Sequence, residues 1–309
     1  MENEKKKHNF NIWALFSAIF AVGALICIII LIKTTVDQKK RAEEMAELVK
    51  GNGEVETSVE VASSDPDEKN KEHSGDEPSD DPAGATQETE STEETPKDPF
   101  AASVQAIIDL GIPIPDLEVD IAGMQESTNK DIYAWIYIPG TKVNYPVLQH
   151  PTDDVYYLNY NIDGTKGYPG CVYSEVSYNS KDFNDSNTVL YAHNMKNGTM
   201  FGSLHKYEDR DFFDKNRYIY VYTQERLLCY RIIAAYEHSN EHLLYYHNFS
   251  DSETMQWYFD KVKAEKVLTN NFDEEYEITG NEHLITLSTC INGKSDKRFL
   301  VQGVLLNEE

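Results

Sequence analysis

Cysteine is scarce in this 309-residue chain, at four residues, and positive charge is outweighed, with 28 Lys and Arg against 53 Asp and Glu. Cys27 falls in an apolar run near the start, which leaves Cys171, Cys229 and Cys290, too few for a disulfide scaffold. No Cys-x₂-Cys occurs, and His238, His242 and His247 are loosely spaced with no cysteine near, so no zinc site is expected. Gly-x-Gly-x-x-Gly, a complete phosphate-loop motif and the Gly-x-Ser-x-Gly elbow are all missing. That removes the sequence basis for dinucleotide, phosphate-loop and serine-hydrolase chemistry, and no cofactor is expected. A net charge of −25 argues against nucleic acid as a partner.

Two local absences divide the chain. Residues Ile12 to Ile32 carry no charge over 21 positions. As a helix they would cover about 30 Å, the thickness of a bilayer's hydrocarbon core. The run is longer than a signal-peptide core and no small-x-small cleavage pattern follows, so an uncleaved anchor is expected. Lysines flank both ends (Lys5–Lys7 before; Lys33, Lys39 and Lys40 after), so the charge rule alone does not orient it. A short cytoplasmic tail (1–11) and a large domain on the extracellular face make the simplest single-pass arrangement. Residues Gly51 to Pro99 lack any aromatic side chain and hold 16 acidic residues against 3 lysines. Such a segment buries too little apolar surface to offset its ordering entropy, so residues 33–99 read as an acidic, low-complexity tether.

From Phe100 to Glu309 aromatic and β-branched residues return, enough for one domain. Ala101–Gly111 reads as a short amphipathic helix closed by glycine. Asp131–Pro139, Val143–Leu148, Asn187–His193, Arg217–Thr223, Leu227–Glu237, Glu282–Thr289 and Arg298–Leu306 read as strands, with Ile291–Lys297 as a polar loop. Ser252–Val262 reads as a helix, with Ser252 able to cap it and Met255, Phe259 and Val262 on one face. Short strands, many turns and no βαβ rhythm predict a mostly β domain, a closed or nearly closed barrel with helices inserted.

Chemistry concentrates in two stretches. Ile285 to Cys290 (ITLSTC) reads as a buried strand that delivers Cys290 to its end, with Arg298 eight residues beyond. Val189 to Met195 (VLYAHNM) delivers His193 to the start of a glycine-containing loop. A thiol, an imidazole and a guanidinium suffice for acyl transfer. Each also has a plain structural reading. Cys290 could be a buried cysteine or pair with Cys171, His193 an ordinary surface or core histidine, and Arg298 a surface strand arginine. Cys229, inside LLCYRII, reads as a buried small hydrophobe. His150, His205, His238, His242 and His247 stand in loops or at element ends with no evident site context.

Taken together, LSTC (287–290) followed by Arg298, and YAHNM (191–195), resemble the sortases, the cysteine transpeptidases of Gram-positive bacteria. DIYAWIYIPGTKVNYPVLQ (131–149), DDVYYLNYNIDG (153–164), NGTMFGSLHKYEDRDFF (197–213) and the helix near 252–262 are similar to class B, and the resemblance spans residues 100–309. It implies a closed barrel of about eight strands with an N-terminal helix and a helical insertion between late strands. It also implies a membrane-anchored enzyme that cleaves a C-terminal Asn-Pro-x-Thr-like sorting motif after threonine, through a thioacyl intermediate. The acyl group would pass to a peptidoglycan amine, so the implied partners are secreted proteins bearing that motif, a cell-wall amine and the bilayer. By resemblance Cys290 is the nucleophile, His193 the general acid/base and Arg298 the oxyanion or substrate-positioning group. Two departures stand out: Ala192 where glycine often precedes the histidine, and CVYSE (171–175) in place of a Gly-x-x-Phe-x-Asp-like stretch. The competing functions are a secreted thiol peptidase that gives the acyl group to water, and a non-enzymatic tethered binding module.

Overall fold

The computed structural model describes Lys33 and residues 98–307. The expected cytoplasmic tail, membrane anchor and, apart from Lys33, the acidic run up to residue 97 lie outside the described residues. Among the described residues no helix is long and apolar enough to cross a membrane.

Eight strands close on themselves. In chain order they are β1 (Ile132–Tyr137), β2 (Asn144–Leu148), β3 (Val172–Tyr173), β4 (Asn187–Tyr191), β5 (Tyr218–Tyr222), β6 (Leu227–Ser239), β8 (Leu284–Ile291) and β9 (Lys294–Leu305). Around the barrel the order is β5-β1-β2-β3-β4-β8-β9-β6, and β6 pairs back to β5; β7 (Asn271–Phe272) adds a short strand on β6. The expected barrel of about eight strands is therefore present. One feature runs against the absence of βαβ rhythm: β2 pairs with β3, and β4 with β8, in parallel. The connection from β4 to β8 is nearly a hundred residues long and carries three other strands, so no local repeat announces the parallel pair.

The strands are apolar on both faces because both faces are covered. Alternate residues such as Ala134, Ile136, Leu190, Ile285, Leu287 and Val301 fill the barrel. Opposite them Trp135 and Cys229 face a second layer built on α1 (Pro99–Asp109) and α2 (Ile121–Ser127), which contribute Ile107 and Ile121. Asp98 caps α1 by accepting from the Phe100 amide, with Pro99 at the first turn, where a missing N–H costs nothing. Three short helices follow, α3 (Tyr156–Asn159), α4 (Arg210–Lys215) and α5 (Leu243–Tyr246), and a third apolar cluster lies under α6 (Ser252–Ala264), whose Met255, Tyr258, Phe259 and Val262 pack on Ile233, Tyr236 and Leu300. The expected cap shifts by one residue, since Asp251 and not Ser252 accepts from the Thr254 amide at 2.9 Å. An ionised carboxylate at this position also complements the helix dipole.

The larger correction concerns the polar stretch after Cys290. It is strand, not loop: β8 runs through Ile291, β9 starts at Lys294, and Asn292 and Gly293 alone turn the chain, Gly293 at φ +79°. A positive φ of this kind suits glycine in a tight hairpin. Lys294 to Lys297 are polar because the hairpin is exposed, and Lys297 is held in the sheet by pairing with Ser239 of β6. Backbone pairing there is independent of hydropathy, the signal on which the strand reading relied.

Candidate active site

Sheet register brings the three residues singled out above into one row. β4 and β8 run parallel with Tyr191 opposite Ser288. Extending that register by two residues places His193 alongside Cys290, on chains about 4.8 Å apart. β8 and β9 run antiparallel with Cys290 directly opposite Arg298. Three adjacent strands thus carry an imidazole, a thiol and a guanidinium at one level.

Alternation decides which way they point. Leu287 faces the barrel interior, so Ser288 and Cys290 face outward, as do Val189 and Tyr191 on β4. These residues floor a cleft of about 290 Å³ on the outside of the barrel wall. Tyr173 and Glu175 wall one side, and residues 238–243, where β6 leads into the short helix α5 (Leu243–Tyr246), wall another. Cys290, His193 and Arg298 all line it.

The local chemistry differs among the three thiols. Cys290 is exposed, whereas Cys171 and Cys229 are buried, and all three are free. The alternative of a Cys171–Cys290 disulfide is therefore overturned: Cys171 lies in the layer under α1 and α2 and donates to the Tyr160 carbonyl at 3.7 Å. Burial pushes the Cys229 thiol up to about 12, and that of Cys171 upward as well, so neither supplies a thiolate near neutrality.

His193 donates Nε2–H to the Leu158 carbonyl, 2.9 Å away. In the neutral ring the lone pair is then on Nδ1. Burial holds its pKa below the ordinary imidazole value, and the Leu158 bond opposes that only in part. The Tyr168 ring, 4.7 Å away and tilted by 50°, covers it. Arg298 donates from Nη1 to the Lys297 carbonyl at 2.9 Å and the Ser295 carbonyl at 3.3 Å. Among the described residues its guanidinium enters no ion pair, so its charge remains available to the cleft.

Two supports went unread in the sequence. The Cys290 carbonyl accepts from Asn194 Nδ2 at 2.9 Å and lies 3.1 Å from His205 Nε2, while His205 Nδ1 meets Glu208 at 2.5 Å. His205 also stacks on Phe299 at 4.9 Å. Thr289 Oγ1 donates to the Ala192 carbonyl, which ties the ends of β4 and β8 together. His205 therefore does have a site context, behind the thiol-bearing backbone. His242 has one too, in the cleft wall, where its Nε2 meets Glu175 at 2.5 Å. The one available signal was weak: Asn194 follows His193 directly. Nothing in the sequence marks His205, Glu175 or His242 as neighbours of residues 85, 115 and 48 positions away. Among the described residues no group of three or more His, Cys, Asp or Glu is placed to hold a metal ion.

A family profile described as the sortase domain matches residues 136–306. Sortase B of Listeria monocytogenes is 32% identical over 185 residues, covering 59% of this chain and 73% of the relative. Sortase B of Staphylococcus aureus is 29% identical over 183 residues, covering 59% and 72%. Among solved structures, sortase B of B. anthracis superposes with a TM-score of 0.52 at 26% identity, covering 61% of this chain and 84% of that one. The chain belongs to the sortase family. Within that family it is of class B, the Gram-positive type, and it is a cysteine transpeptidase.

Proposed function

We propose that Cys290 is the nucleophile, His193 the general acid/base and Arg298 the oxyanion-stabilising group of this transpeptidase. The observation that carries the assignment is the row across β4, β8 and β9, which sets all three side chains along one cleft. The substrate is the C-terminal sorting motif of a secreted protein, of the type Asn-Pro-x-Thr. The thiolate attacks the threonyl carbonyl, and charge gathers on the carbonyl oxygen beside the guanidinium. The His193 imidazolium then protonates the departing amine, the C–N bond breaks and a thioacyl enzyme remains. A peptidoglycan amine attacks the thioester in turn. Its C–N bond forms, the C–S bond breaks, the thiolate is restored and the surplus proton returns to His193. Residues 12–32 would hold the domain at the outer face of the membrane, with 33–99 as its tether, where substrate and acceptor are concentrated.

Mass spectrometry of the products tests this reading. The enzyme is expected to convert a sorting peptide to an amide conjugate when a primary amine is supplied. A hydrolysed acid alone, at every amine concentration, would favour the thiol peptidase instead. Arg298→Lys keeps the charge and loses the planar fork. Turnover is expected to fall roughly 10²–10³-fold, the usual cost of one oxyanion donor. A variant that cleaves at the parent rate makes the arginine structural.

The buried imidazole sets a pH dependence. Burial disfavours the imidazolium, so the acidic limb of kcat/KM, which reports its titration, is expected below the ordinary value of 6.5. Tyr168→Ala uncovers the ring to water and should move that limb upward toward 6.5. A limb unmoved by the substitution assigns it to another group.

A further inference from the structure

Rather than to an expected site residue, the geometry points to Glu175, backed by His242, as the subsite that binds the protonated incoming amine on the cleft wall. This rests on the transpeptidase reading above and adds the acceptor side to it. Glu175 follows β3 and its side chain is only 9% exposed, yet it lines the cleft that holds Cys290. Its partner is His242, through Nε2 at 2.5 Å, and it also accepts a hydrogen bond from Tyr191.

The protonation state of His242 follows from its other nitrogen. Nδ1 accepts from the Tyr245 amide at 3.1 Å, where His242 caps α5. A nitrogen that accepts an N–H carries a lone pair, so the ring is neutral with its proton on Nε2, and that proton goes to Glu175. His242 therefore orients the carboxylate without cancelling its charge. No lysine or arginine among the described residues pairs with Glu175 either. The Tyr178 ring packs against His242 with centroids 4.2 Å apart, tilted by 36°, which limits the ring's freedom. The wall thus presents one oriented negative charge in a half-enclosed site, where a complementary charge is worth far more than in water. Burial raises the Glu175 pKa, and the hydrogen bond from His242 opposes that rise.

Across the cleft stands the opposite charge, Arg298 beside Cys290. Tyr173 lines the same cleft beside Glu175. A cleft with a cation beside the thiol and an anion on the wall matches the two charges of the second half-reaction, an oxyanion and an ammonium. The carboxylate gathers and orients the ammonium. One of its protons passes to solvent water before the nitrogen attacks, and the second, released as the C–N bond forms and the C–S bond breaks, goes to His193, neutral after the first half-reaction.

The test uses two nucleophiles on the full-length enzyme and its Glu175→Gln variant: Nα-acetyl-lysine amide, cationic at neutral pH, and hydroxylamine, largely uncharged there. Glutamine keeps the shape and can still accept from His242. The apparent KM for the lysine amide is expected to rise on the order of ten- to a hundredfold, the usual weight of a hydrogen bond to a charged group. The ratio of lysine conjugate to hydroxamate should fall with it. If Glu175→Gln does not fold, Glu175→Asp decides, because it keeps the charge and should keep most of the preference for the cationic nucleophile. Equal effects on both nucleophiles, or an aspartate variant that loses the preference entirely, overturn the subsite and leave the transpeptidase reading standing. A parent enzyme that forms no conjugate with either nucleophile overturns both.

Discussion

Cys290→Ala is expected to abolish cleavage of a sorting peptide while the chain keeps its fold. Cys290 is exposed on a strand whose neighbours already fill the barrel, so removing its sulfur opens no core cavity. The carbonyl of the same residue keeps its bonds to Asn194 and His205, since the backbone is unchanged. Folding, followed by circular dichroism and thermal unfolding, should therefore stay near the parent. Activity should not survive, because no other described thiol can take over: Cys171 and Cys229 are buried and burial pushes both thiols upward. Cys290→Ser is expected to be inactive as well, since a hydroxyl beside His193 lacks the ready ionisation of a thiol. Residual cleavage by the alanine variant above the level of a mock preparation would sink the nucleophile assignment.

Much of this was legible locally. Apolar runs marked β1, β2, β5 and most of β6 and β8, because strands covered on both faces need continuous hydrophobicity. The face of α6 was legible because Met255, Phe259 and Val262 recur at helical spacing. Cys290, His193 and Arg298 were legible as candidates through their motifs. What stayed hidden depends on contacts across the chain. The parallel pairing of β4 with β8 joins residues nearly a hundred positions apart, and it is this pairing that sets His193 level with Cys290. The polar hairpin from Lys294 was unreadable by hydropathy, since its order comes from backbone pairing with β6 and β8. Glu175 and His242, on separate elements, become a pair only when β3 and the start of α5 meet at the cleft. Asn194 and His205 acquire a shared role only because both reach one carbonyl.

His193→Ala is the second large loss, expected at roughly 10²–10⁴ in kcat/KM, the usual weight of a positioned general acid. Its distinguishing feature is where the loss falls. kcat/KM for a peptide includes departure of an amine, which is a poor leaving group unless protonated. An activated ester of the same sequence expels a phenolate that needs no proton. The alanine variant should therefore lose far more on the peptide than on the ester, and a fluorogenic peptide and a nitrophenyl ester measured side by side give both values. The structure gives the substitution little other consequence. His193 is half-buried, its ring donates to the Leu158 carbonyl, and the chain there is held independently by the Ala192 amide bond to Ser288 and by the Phe201 amide bond to the His193 carbonyl. A loss of equal size on both substrates would mean that the ring shapes the cleft and does not pass a proton. No loss on either would remove His193 from the mechanism and return the search to the other histidines of the cleft, His238 and His242.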